Sequence, residues 1–317
     1  MLDLVGKRYL WFAISALIIL PGIFSLVWHG LDAGIDFTGG TSWEFTTTQT
    51  PATEPIKAIL AAHGFSDAVV QISNGDTVLI RMKELKEGSP EKAAILSDIQ
   101  TRYGEIKPNT EQLSSVGPSV GTEIRNRAFV AVILASIGVL LFIAYAFRNT
   151  NNPALYGICA IVAMLHDVAV VLGIFSILGW VHGVEIDALF VTAVLTVIGF
   201  SVHDTIVVFD RVRENLALHI APTFEETVNY SVVQTMVRSL NTSLTVVLTL
   251  LALYLFGGAS TRWFVLALLI GVISGTYSSI FNASQLLVAW ETGEVRRFFS
   301  GSWLRPGGGS GPRAKAA

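Results

Sequence analysis

Charge is what this sequence has least of. Asp, Glu, Lys and Arg make up 14% of its 317 residues, against roughly 25% in soluble domains. A chain so poor in charge cannot clothe a water-soluble globule of this length. Hydrophobic residues reach 52%, and the mean hydropathy is +0.58; the composition is that of an integral membrane protein. Cysteine is nearly absent. Cys159 stands alone in an apolar run, which excludes disulfides and thiolate metal sites within the chain and leaves a small buried side chain as its reading. A basic excess is missing too: 21 Lys and Arg against 24 Asp and Glu give a net charge of −3, so nucleic acid is not an expected partner. Nor is there a phosphate loop. Gly34, Gly39 and Gly40 of "GIDFTGG" are followed by neither Lys-Ser/Thr nor a helix start at the required spacing, and turns or tight packing at a membrane surface account for them.

Six apolar runs are present instead: Leu10–Trp28, Ala128–Phe147, Pro153–Leu178, Ile186–Phe209, Leu240–Phe256 and Trp263–Ala283, each near the ~20 residues a bilayer requires. Lys7 and Arg8 precede the first, but its length is that of a span and no small-residue cleavage site follows, so it reads as an uncleaved anchor. Orientation follows the basic residues of the short loops. Lys7, Arg8, Arg148, Arg211, Arg213, Arg238, Arg296, Arg297, Arg305, Arg313 and Lys315 fall on one side, and Arg262 on the other. Both termini are expected in the cytosol, and the segment between the first two spans outside it.

That segment has its own order. "IDFTGGTSWEF" alternates like a strand and "ATEPIKAILAAHG" has helical spacing. "AVVQISNGDTVLIRM" reads as a hairpin about Ser73-Asn74-Gly75-Asp76. "SPEKAAILSDIQTRYG" is a helix with Ser89 as N-cap and Pro90 just inside it, and "EQLSSVGPSVG" closes the series as a strand. The β-α-β-β-α-β order is that of a ferredoxin-like unit. Asp36, Asp67 and Asp76 read as solvated loop acids within it. The expected fold is therefore a polytopic α-helical membrane protein with six transmembrane helices and an α+β ferredoxin-like extracytoplasmic domain between the first and second. Its parts are residues 1–30, 31–125, 126–290 and a flexible Gly-rich tail over 291–317.

Ionisable residues inside spans are expensive and mark function. Asp167, in "AMLHDVAVV", lies near the middle of the third span, and Asp204 lies in the fourth, each preceded by a histidine, His166 and His203. Arg238 enters the fifth at a depth similar to that of Asp204, so an ion pair between them is possible. Asn241, Thr242, Thr245 and Thr249 follow Arg238 at helical spacing as a polar stripe, which calls for an internal, hydrated lining. Desolvation favours a protonated carboxyl and an adjacent arginine the carboxylate; the two together suit a proton relay through Asp204 and Arg238, with His203, Asp167, Asn241, Thr242 and Thr245 as accessories. The competing readings are a static buried pair and an intramembrane aspartyl protease, whose two carboxylates would share a proton. His166 and His203 read as packed or hydrogen-bonded, not metal-binding, because neither has a second ligand three or four residues away. Gly271, Ser274, Gly275, Ser278 and Ser279 read as a close-packing face.

Four motifs carry a resemblance: "GIDFTGGT" at Gly34–Thr41, "SVHDTIVVFDRVREN" at Ser201–Asn215, "RSLNTSLT" at Arg238–Thr245 and "GTYSSIF" at Gly275–Phe281. With these in order on the expected elements, the sequence resembles the SecF family of bacterial protein-export subunits, in the RND superfamily. The resemblance implies a non-enzymatic, cofactor-free six-span half in the bacterial inner membrane. It would pair with a similar half, SecD, and assist the SecYEG channel, with YajC, in moving preproteins at the expense of the proton gradient. The family's proton-passing aspartate and arginine fall on Asp204 and Arg238. The chain has His203 where the family is expected to carry Asn, and an imidazole titrating near neutrality can share the proton. A half-sized exporter of small molecules and a non-transporting scaffold are the alternatives.

Overall fold

In hydrocarbon a long apolar run satisfies its backbone by closing into a helix. Among the described residues of the computed structural model, six helices are long and apolar enough to cross a membrane. They are α1 (Arg8–Trp28), α5 (Pro118–Ala146), α6 (Pro153–His182), α7 (Ala188–Ala217), α8 (Phe224–Phe256), and α9 (Arg262–Ser278), which continues through a π-helical turn (Ser279–Ala283) into α10 (Ser284–Glu291). A short α11 (Glu294–Phe299) follows. The structure describes residues 2–299 except 74, 149, 151, 259 and 260, with the backbone alone at 73, 296, 298 and 299. Asn74 of the expected hairpin turn and the tail with Arg305, Arg313 and Lys315 lie outside the described residues.

Two compact units result: Asp32–Ala131 with Glu185–Ala188, and the remainder. In the first, four strands, β1 (Gly40–Thr46), β2 (Val69–Ser73), β3 (Thr77–Met82) and β4 (Gln112–Val116), form an antiparallel sheet in the order β2-β3-β1-β4. Two helices, α3 (Thr53–Ala62) and α4 (Pro90–Tyr103), supply Ile56, Leu60, Ile95 and Ile99 to a core shared with Trp43, Phe45, Val78 and Ile80. The alternation of β1 and β3 puts Trp43 opposite Ile80 and Phe45 opposite Val78, and each such side chain fully buried contributes roughly 1.5–3 kcal/mol. Ser89 caps α4, its hydroxyl accepting from the Lys92 N–H at 3.2 Å, with Pro90 inside the first turn.

The glycines of "GIDFTGG" are needed at two positions beyond the short α2 (Ile35–Thr38). Gly39 and Gly40 have φ of 76° and 132°, and a Cβ on either would lie 2.7 Å from backbone atoms of Pro118 or Met82. Asp36 departs from its expectation as a solvated loop acid: its carboxylate accepts from the Ala188 N–H at 2.9 Å and so caps the start of α7. The fourth apolar run was expected to turn helical from Ile186, but that residue is extended and bridges Ala33. The other acids keep to the surface. Asp67 and Asp76 pair with Lys83 at 3.0 Å and Lys107 at 2.7 Å, and hydrogen bonds from those lysines hold both carboxyls below their ordinary value.

In the helical unit, α1 and α6 approach at glycine. A Cβ on Gly22 would lie 2.8 Å from the Gly173 Cα, and one turn on the buried Ser25 and Ser176 hydroxyls meet at 2.8 Å. Cys159 is buried on α6.

Candidate functional site

Two carboxylates are sealed inside the helical unit, and their surroundings differ. Asp167 of α6 is wholly buried. Its Oδ2 accepts from Ser201 at 2.5 Å and Ser278 at 2.7 Å, and its Oδ1 from Ser274 at 2.7 Å. The His166 Nδ1 stands 3.0 Å from Oδ1. With three hydroxyl donors already in place, the nitrogen completes the four acceptor positions of an ionised carboxylate. Gly275 makes the cage possible: a Cβ there would lie 3.2 Å from the Ser201 Cα and 3.6 Å from the Asp167 Oδ2.

Asp204 of α7 is 2% exposed but poorly supplied. Ser243 of α8 reaches its Oδ2 at 3.5 Å, the limit of a hydrogen bond. That hydroxyl also meets the Thr276 Oγ1 at 2.5 Å, while Thr276 donates to the Val272 carbonyl at 2.9 Å. The single Ser243 proton is thus drawn to Thr276, and Asp204 is left with a long, shared bond. An ionised carboxylate in this position lacks the donors that its burial demands. A neutral carboxyl fits it.

The possible pair with Arg238 is absent among the described residues. Arg238 is exposed. The reason is azimuth. Ser243 faces Asp204, and five residues separate it from Arg238, about 140° around a helix of 3.6 residues per turn. Asn241, Thr242, Thr245 and Thr249 are exposed along with Arg238, so the stripe lines no interior of this chain. Its threonines satisfy themselves on backbone carbonyls, Thr242 on Arg238, Thr245 on Thr242 and Thr249 on Thr245. The buried face of α8 is a different polar row of Ser231, Thr235, Ser239 and Ser243.

Two further expectations change. The small residues of α9 are not packing alone, since Ser274 and Ser278 are donors to Asp167. His203 is not packed: its side chain is 69% exposed, and its Nδ1 stands 3.8 Å from the Asp204 Oδ1. Sequence reasoning passed over Ser201, Ser243 and Thr276. Ser201, three residues before Asp204 on the same helical face, was the findable one. No hydrogen bond joins Asp167 to Asp204 among the described residues, and the acceptor positions of Asp167 are otherwise filled, which is not the shared-proton dyad of an aspartyl protease. Nor, among them, does any group of three His, Cys, Asp or Glu side chains gather as a metal site.

Residues 96–293 match the family described as protein export membrane protein SecD/SecF, C-terminal. A relative from Thermobaculum terrenum, protein translocase subunit SecF, is 54% identical over 313 residues, 94% of this chain and 97% of that protein. The chain belongs to the SecF family. A second SecF, from Anaerolinea thermophila, is 44% identical over 94% of this chain and 97% of its own. The crystal structure of SecDF from Thermus thermophilus, described as a translocon-associated membrane protein, superposes with a TM-score of 0.79 at 34% identity. It covers 92% of this chain, which spans 38% of that longer one. As a member of the SecF family, the chain is a SecF-like protein translocase subunit and a multi-pass membrane protein.

Proposed function

We propose that this subunit couples the proton gradient to protein export, with Asp204 as the group that takes up and releases the proton. The observation that carries the reading is the donor-poor burial of Asp204 beside an exposed histidine. His203 opens to the outer surface of the bundle and its ring nitrogen lies 3.8 Å from the acid, so a proton arriving at the imidazole has a short way to the carboxyl. Family resemblance adds Arg238 as the second member of the relay. Its outward face, with Asn241, Thr242 and Thr245, is the surface where a SecD half would close, turning a polar stripe costly in lipid into a hydrated seam. SecDF of Bacillus subtilis, 34% identical to this chain over 39% of its own length, supports such a partner.

In the same reading both termini face the cytosol of a bacterial inner membrane, and residues 31–125 form the extracytoplasmic domain. The strand order 2-3-1-4 with two helices on one face supports the ferredoxin-like description of that domain. SecYEG, YajC and a preprotein are the partners that the family resemblance brings. The protein binds no cofactor and catalyses no covalent step. Small-molecule export is the weaker reading: the hollow beside β3 is about 190 Å³ and is lined by Asp67, Arg81, Lys83 and Glu185 among others, a charged dent rather than an apolar pocket.

The test is export of a secreted reporter in cells depleted of their own SecF, comparing the protein with Asp204→Asn at equal membrane level. Loss of the gradient-dependent part of export supports the relay. Full export by the variant would remove it.

A further inference from the structure

We infer that His166 is a second proton-binding group inside the membrane, and that Asp167 is its fixed counter-ion rather than a proton carrier. The inference rests on the gradient-coupled reading above, but on different atoms. With Asp167 ionised, its oxygens accept from Ser201, Ser274 and Ser278, and the His166 Nδ1, 3.0 Å from Oδ1, is then the donor, because a carboxylate oxygen has no proton to give. That fixes the ring. The other nitrogen, Nε2, is buried and has no hydrogen-bond partner, on a side chain only 9% exposed.

Such an orphan is rare in a folded interior and calls for a missing partner or a role. Here both protonation states leave Nε2 short of one: as a bare lone pair it lacks a donor, and as N–H it lacks an acceptor. The state is chosen by charge. Among the described residues the one ion-pair partner of the buried Asp167 is His166, at 3.0 Å, and with the carboxyl ionised a protonated His166 makes the dyad neutral. Loading therefore adds one proton from water to Nε2 and release removes it from the same atom, while Nδ1–H stays on Asp167. The titratable side chains on the elements packed against α6 are Arg8 and Tyr9 of α1, His203, Asp204, Asp210, Arg211, Arg213 and Glu214 of α7, Arg262 and Tyr277 of α9, and Glu291 of α10. Arg8 and Tyr9 are engaged by Glu294. Tyr277 lies beside the imidazole, ring centroids 6.1 Å apart, and spends its own proton on the Trp11 carbonyl at 2.8 Å.

The experiment is ¹⁵N-histidine NMR of the full chain reconstituted with its SecD partner, the His166 signal being identified by its loss in His166→Gln. The expected result is an Nε2 signal that converts from the bare to the protonated form as the pH is lowered across the range in which the protein stays folded. It should persist in Asp204→Asn, and the protonated form should be lost or weakened in Asp167→Asn, which removes the counter-ion. Gradient-dependent export by His166→Gln should drop about fivefold or more, with a flattened pH profile, at unchanged membrane level. An Nε2 that stays in one form across that range in the unaltered protein, or His166→Gln exporting with an unchanged pH profile, would overturn the inference. Export undiminished in Asp204→Asn would instead remove the Asp204 relay and leave the His166 signal to be read by itself.

Discussion

The chain writes the same dipeptide, His-Asp, into two neighbouring helices, and the structure treats the two copies in opposite ways. Both acids are withdrawn from the surface. Asp167 is clasped by three serines and its own histidine, while Asp204 has one long contact and a histidine turned outward. Burial alone therefore does not decide what a membrane carboxylate does. The number of donors aimed at it does, because a saturated carboxylate is held ionised and an unsupplied one is comfortable only when neutral.

Four predictions strain that contrast, from the largest expected effect downward. Asp204→Asn should lower gradient-dependent export by about tenfold or more while leaving thermal stability nearly unchanged, since few bonds are lost. Asp167→Ala should do the reverse in kind: four donors lose their acceptor, and unfolding in detergent should become easier by about 3–5 kcal/mol. Ser278→Ala removes one charged hydrogen bond and should cost about 1.5–3 kcal/mol, against about 0.5–1.5 for Ser243→Ala beside Asp204. Equal costs at the two serines would erase the distinction.

The smallest effect concerns an acid outside the spans. Burial pushes the Glu294 carboxyl up, but hydrogen bonds from Arg8 and Tyr9 outweigh it and hold the group below its ordinary value of 4.5. A depressed carboxyl contributes stability that is present above the ordinary value and lost as the pH falls through the lower, folded one. Glu294→Gln should flatten the acid limb of a melting-temperature profile by less than about 1 kcal/mol, the pair being partly open to solvent.

Much of this was legible in the chain. Run length gave the six helices, alternation gave β1 and β3, and cost in hydrocarbon singled out Asp204 and Asp167. What stayed hidden was azimuth and long-range company. Depth counting put Arg238 level with Asp204 but could not tell which side of α8 faced it, and Ser243 took the position instead. Ser274 and Ser278 looked like packing residues because their partner is more than 100 positions away on α6. Asp36 caps a helix that begins 152 residues later, and no local pattern announces such a contact.

The most direct test of the central claim is infrared difference spectroscopy of the reconstituted complex, following the C=O stretch of a protonated carboxyl as the pH is stepped. The account predicts a band that vanishes in Asp204→Asn and survives in Asp167→Asn. A band lost in Asp167→Asn and retained in Asp204→Asn would contradict it, by making the caged acid the carrier.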